Sequence, residues 1–103
     1  MDTQEKIKQI VRKYPVILFM KGTVQFPMCG FSGQAIQLLK ACGVDSVHTI
    51  NVLEDQAVRQ GIKTFSNWPT IPQLYVNGEF IGGLDIMMEM YQSGELQQLF
   101  LHA

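Results

Sequence analysis

Residues 16–20 read Val-Ile-Leu-Phe-Met, an apolar run with no polar alternation. A strand with one solvated face alternates apolar and polar side chains. An unbroken run is the pattern of a strand covered on both faces, as in a sheet with helices above and below. The chain must therefore supply amphipathic helices for two sides of one sheet, and its 103 residues fit a single domain, 1–103, with one core region. The pattern predicts a helix over 3–14, with Ile7, Ile10, Val11 and Tyr14 on one stripe and Pro15 as its stop. A second helix is expected from Ser32 to about Cys42, closed by Gly43. Residues 47–52 read as a strand, and 55–65 as a helix with Val58, Ile62 and Phe65 on one side. Two prolines exclude helix from the following Asn-Trp-Pro-Thr-Ile-Pro-Gln. Residues 73–76 and 79–81 flank Asn77-Gly78, a hairpin signal. Gly82-Gly83 ends the hairpin, and Asp85 is the expected N-cap of a helix through Tyr91. Ser93-Gly94 breaks that helix before a last short one. The order αβαβαββαα places the chain in the α/β class. The first two strands should be parallel and the last two antiparallel, in a four-stranded mixed sheet with helices on both faces.

A net charge of −1 gives no global pull toward nucleic acid or a membrane surface, so neither is an expected partner. No apolar run approaches the length of a membrane span. The polar start, Met-Asp-Thr-Gln-Glu, lacks a signal-peptide core, so a cytosolic compartment is the expectation. Two cysteines are too few for a secreted disulfide scaffold.

Chemistry concentrates at Cys29-Gly30-Phe31-Ser32. Cys29 stands just before a helix start, where unpaired N–H groups and the helix dipole favour an anion. Such positions lower a thiol pKa. Lys21, at the end of the first strand, adds positive charge near the same edge. Ser32 reads mainly as a helix N-cap. Cys42 shares a face with Ala35, Leu38 and Leu39 and reads as a core residue. It lies thirteen positions beyond Cys29, roughly 20 Å along a helix, too far for a disulfide. One usable thiol then suits either exchange with an external thiol through a mixed disulfide or ligation of a metal. His48 and His102 lack zinc-ligand spacing. An iron–sulfur cluster normally takes four thiolates, of which two chains supply two; an abundant small thiol is the obvious source of the rest.

Other residues suit a small anionic thiol. Pro72 forces Ile71 to be extended, and a cis bond there would expose the Ile71 backbone to a peptide-like ligand; residue statistics alone favour trans. Gly83, Leu84 and Asp85 lead into a helix N-terminus, which suits a carboxylate. Arg59 and Lys63 share a helix face and, with Lys21, offer positive charge; taken alone the pair reads as a solvated surface. The three methionines of residues 85–91 read as core filling.

Met20-Lys21-Gly22, Cys29-Gly30-Phe31-Ser32, Arg59–Lys63, Ser66–Phe80 and Gly82–Asp85, in this order and spacing, resemble the CGFS-type monothiol glutaredoxins, especially the short bacterial ones. The resemblance covers nearly the whole chain. It implies a thioredoxin-like fold, a cis Pro72, and a 2Fe–2S cluster bridging two protomers through one Cys29 from each and two glutathione molecules. It implies glutathione contacts at Lys21, Phe31, Arg59, Lys63, Thr70, Ile71, Pro72, Gly83, Leu84 and Asp85. It implies cluster transfer to iron–sulfur acceptor proteins and pairing with a BolA-like protein. Several relatives carry cysteine where this chain has Leu84, so any disulfide at that position is lost. The alternative is a glutathione-dependent oxidoreductase acting through Cys29, which the loop Thr23–Pro27 is expected to crowd; a third is a regulatory partner that never releases its cluster. The compartment implied is a bacterial cytoplasm, or the mitochondrial matrix for a trimmed eukaryotic form.

Overall fold

A computed structural model describes residues 2–101. The chain runs α1 (Thr3–Lys13), β1 (Val16–Met20), α2 (Gly30–Ala41), β2 (His48–Asn51), a 3-10 turn (Val52–Glu54), α3 (Gln56–Ser66), β3 (Gln73–Val76), β4 (Glu79–Gly82), α4 (Leu84–Ser93) and α5 (Glu95–Leu101). This is the thioredoxin-like order that the sequence led us to expect. His102, read as part of the last helix and its frayed tail, lies outside the described residues.

The strands lie in the order β2-β1-β3-β4. β1 pairs in parallel with β2 (Ile17 opposite His48) and antiparallel with β3 (Ile17 opposite Tyr75). β3 and β4 form the Asn77-Gly78 hairpin, with Asn77 and Gly78 both at positive φ as that turn requires. All five residues of β1 are buried. Its even-numbered side chains, Val16, Leu18 and Met20, meet Leu74, Val76, Ala35, Leu39, Met87 and Leu96 on one face. Ile17 and Phe19 meet Tyr75, Ile7, Val11, Val58 and Ile62 on the other. Thus α2, α4 and α5 cover one side, while α1 and α3 cover its opposite. Each fully buried aliphatic side chain contributes on the order of 1.5–3 kcal/mol, so two shared faces make β1 the stabilising centre. No helix among the described residues is long and apolar enough to cross a membrane.

Three expectations are corrected at element ends. α2 starts at Gly30, so Cys29 itself is the N-cap and Ser32 is not. The chain is already extended at Cys29 (φ −151°, ψ 135°), which turns Ser32 inward onto the sheet. α4 has Gly83 as its N-cap without a side-chain bond; Asp85 lies inside the first turn and is exposed. Cys42, expected in the core, is only half-buried at the C-cap of α2, where it packs against the edge of the first core face. Of the methionines, Met87 fills the core and Met90 packs against it, but Met88 is exposed.

Tyr75 carries the main buried hydroxyl of the second face. Its ring sits against Phe19, Phe65 and Phe80, and its Oη donates to Gln73 Oε1 at 3.3 Å. Burial pushes its pKa up from 10.0 to about 12, with Ser66 opposing the shift. The folded state holds the proton that the unfolded chain releases, so the stabilisation is complete below the unfolded value and is lost as pH rises through the folded one. Unfolding free energy is expected to fall by about 2–3 kcal/mol between pH 10.0 and about 12. Urea titrations across that window should show the loss, and Tyr75→Phe should flatten it. An equal slope in both proteins would assign the loss to other groups.

Candidate functional site

The site forms where three connections meet at one end of the sheet. Lys21 and Gly22 leave β1 and enter a closed turn. Met28 N–H donates to Lys21 O at 2.9 Å and Thr23 N–H to Phe26 O at 3.1 Å, which returns the chain to Cys29. The turn leaves Phe26 and Met28 exposed beside the thiol. Cys29 and Cys42 cap opposite ends of α2 as free thiols, so the expected separation holds.

The Cys29 thiol has its pKa lowered from the ordinary value. The backbone N–H of Ser32 is the leading cause; partial burial opposes it, and the Phe31 N–H, the Lys21 ammonium and the Ser32 hydroxyl add to the lowering. No N–H meets Sγ in full hydrogen-bond geometry. The stabilisation is therefore that of dipoles aimed at a helix start, not of a formed cap bond. Cys42 is pushed the other way, by burial. Ser32 is fully buried, and its Oγ accepts the Lys21 N–H at 3.0 Å. The residue at the resolving-thiol position is thus a structural one, which satisfies the first donor after the β1 ladder.

Beside the thiol, Phe31, Trp68, Thr70, Ile71, Pro72, Gly83, Leu84 and Asp85 line a groove of about 170 Å³. The Ile71–Pro72 peptide is cis. A side chain at Gly83 would bring its Cβ 3.1 Å from Trp68 Nε1 and 3.4 Å from the Pro72 carbonyl, so glycine sets the width of this wall. Asp85 adds a carboxylate at the groove's edge.

A family model for glutaredoxin matches residues 16–81. A "monothiol glutaredoxin ycf64-like" protein of Synechocystis is 54% identical over 95% of this chain and 91% of its own length. A zebrafish (Danio rerio) "glutaredoxin-related protein 5, mitochondrial" is 58% identical over 90% of the chain, which spans 60% of that relative's length. The solution structure of reduced poplar apo GrxS14 superposes with a TM-score of 0.82 at 46% identity, covering 96% of this chain and 90% of that one. The chain belongs to the monothiol glutaredoxins.

Of the residues singled out in this glutaredoxin's sequence, Phe31, Thr70, Ile71, Pro72, Gly83, Leu84 and Asp85 converge on the groove. Lys21, Arg59 and Lys63 do not line it. Lys21 stands next to the thiol, close enough for its charge to act on Cys29. Arg59 and Lys63 lie on α3, whose end abuts the groove: Trp68 N–H donates to Lys63 O at 3.1 Å. Two contributors escape a residue-by-residue reading. Trp68 forms a groove wall, for which its place between the helix stop and Pro69 was the available signal. Gln73 is fully buried and donates from Nε2 to the carbonyls of Trp68 (3.2 Å) and Thr70 (3.1 Å). It pins the loop that builds the groove, and a polar residue opening an otherwise apolar strand was its only trace.

Proposed function

We propose that this monothiol glutaredoxin binds glutathione in the groove beside Cys29 and carries a 2Fe–2S cluster shared between two copies of the chain, passing it to iron–sulfur acceptor proteins. The observation that carries this reading is the state of the two positions of Cys-x-x-Ser. Cys29 is a free, partly exposed thiol at a helix start, while the Ser32 hydroxyl is buried and bonded to Lys21. Cys29 therefore has no internal partner and remains available as a releasable ligand. Among the described residues no three His, Cys, Asp or Glu side chains gather to hold a metal. A cluster seated at Cys29 then draws one thiolate from each of two chains and needs two from outside, which two glutathione thiolates would supply.

In this reading glutathione lies along the cis Ile71–Pro72 loop, its backbone against Thr70 and Ile71. One carboxylate meets the N–H groups that open α4 at Gly83, Leu84 and Asp85, and Asp85 receives the ammonium. Lys21, Arg59 and Lys63 face the other carboxylate, and Phe31 covers the sulfur end. The exposed Phe26 and Met28 crowd the approach of a second thiol to Cys29, which favours cluster carriage over catalytic deglutathionylation. A BolA-like protein is the expected heteromeric partner. A bacterial cytoplasm, or the mitochondrial matrix for a trimmed eukaryotic form, is the compartment in keeping with relatives from both sources.

Anaerobic reconstitution with iron and sulfide tests this, with glutathione present or absent, followed by visible absorption and size exclusion. A coloured dimer that forms only with glutathione is the expected product. A colourless monomer that still forms a Cys29–glutathione disulfide would overturn carriage and leave the oxidoreductase reading.

A further inference from the structure

Lys21 and Gly22 hang from two side chains that take no part in the groove. One is Ser32, which holds the Lys21 N–H. The other is Asn51, the last residue of β2, whose Oδ1 accepts the Gly22 N–H at 2.9 Å and the Leu53 N–H at 3.0 Å. An amide oxygen has two lone pairs, and both are used here. The two donors belong to different parts of the site. Gly22 follows Lys21 directly. Leu53 lies in the 3-10 turn that leads, through the N-cap Asp55, into the helix bearing Arg59 and Lys63. One oxygen atom therefore ties the turn carrying Lys21 to the turn that launches the other two basic residues. The Lys21 turn has little freedom to settle elsewhere: Gly22 sits at φ +93°, and backbone atoms of Phe26 and Met28 fill the place a Cβ would take.

We propose that Asn51 is a positioning residue of the thiol site: it holds Lys21 beside Cys29 and at a set spacing from Arg59 and Lys63, so that an anionic thiol meets a preassembled cationic end. The inference rests on the reading that these basic residues receive glutathione. Preassembly matters because a turn that must be ordered during binding lowers affinity and rate, and a backbone held in place beforehand avoids that cost.

The test is the rate at which the full chain forms the Cys29–glutathione disulfide from oxidised glutathione, read by peptide-resolved mass spectrometry. In that step the Cys29 thiolate attacks one sulfur of oxidised glutathione, the S–S bond breaks and a glutathione thiolate leaves. One disulfide replaces another with no net oxidation. Asn51→Ala, Lys21→Met and the double variant are compared with wild type in a double-mutant cycle. Asn51→Ala is expected to slow the step about tenfold, and to slow the Lys21→Met chain by less than about twofold further. Amide exchange at Gly22 should accelerate in Asn51→Ala, and Asn51→Asp, which keeps an acceptor oxygen in place, should restore its protection. If Asn51→Ala does not fold, Asn51→Gln displaces the oxygen by one methylene and gives the same comparison. The same fold-loss with and without the lysine would reduce Asn51 to general scaffolding and overturn the proposal, as would a wild-type rate in Asn51→Ala beside a slowed Lys21→Met. A wild-type rate in Lys21→Met would overturn the glutathione role of Lys21, and the proposal with it.

Discussion

Replacing Cys29 by serine is expected to remove nearly all thiol exchange with oxidised glutathione, a loss of roughly a hundredfold or more, while leaving the fold intact. The two thiols differ in position and ionisation. Cys29 lies at the N-terminal end of α2 with its pKa lowered from 9.0, and Cys42 lies at the C-terminal end with its pKa raised from the same value. Only the thiolate attacks, so at a pH below 9.0 Cys29 presents the larger reactive fraction. Its reactivity should rise with pH before that of Cys42 does. Peptide-resolved alkylation against pH, on wild type and Cys29→Ser, measures both curves. Coincident curves, or a Cys29→Ser protein that still exchanges at the wild-type rate, would show that Cys42 is the working thiol.

Gly22→Ala should destabilise the protein by about 3 kcal/mol or more, combining left-handed backbone cost with overpacking. A Cβ at Gly22 would lie 2.5 Å from both Met28 N and Phe26 O. These are backbone atoms of the same closed turn, so no side chain can swing aside to relieve the contact. The residue's φ of +93° is itself one that side chains rarely adopt. Relief requires the turn to open, and opening it moves both Lys21 and Met28, the two residues that flank the thiol's approach. Urea unfolding should therefore show a lower midpoint, and glutathione exchange at Cys29 should slow in the protein that remains folded. A loss under about 1 kcal/mol with normal exchange would mean that the turn is pliable and that its closure does not set the site.

The site was partly legible in the sequence because its pieces are local signals. A cysteine before a helix, a double-proline loop and a glycine pair ahead of a helix each announce themselves within a few residues. The roles of Ser32, Asn51 and Gln73 were not legible, since each is defined by a partner distant in the chain or by burial that only the packed loops create. Ser32 illustrates the difference. Its local context reads as a cap, but the backbone is already helical from Gly30, so Cys29 is the cap and the buried Ser32 hydroxyl accepts the Lys21 N–H instead.

Local pattern determined the order of helices and strands, the doubly covered β1 and the tight Asn77-Gly78 hairpin, since these depend on side-chain period and on which residues tolerate positive φ. It did not determine that β3 would lie beside β1, giving β2-β1-β3-β4. That choice is made by long-range burial: β3 is buried throughout, so it must occupy the interior of the sheet, while half-buried β2 and β4 take the edges. The same choice brings residues 70–72 and 83–85 to the end of the sheet where α2 presents its thiol, and only there do separate local signals become one groove.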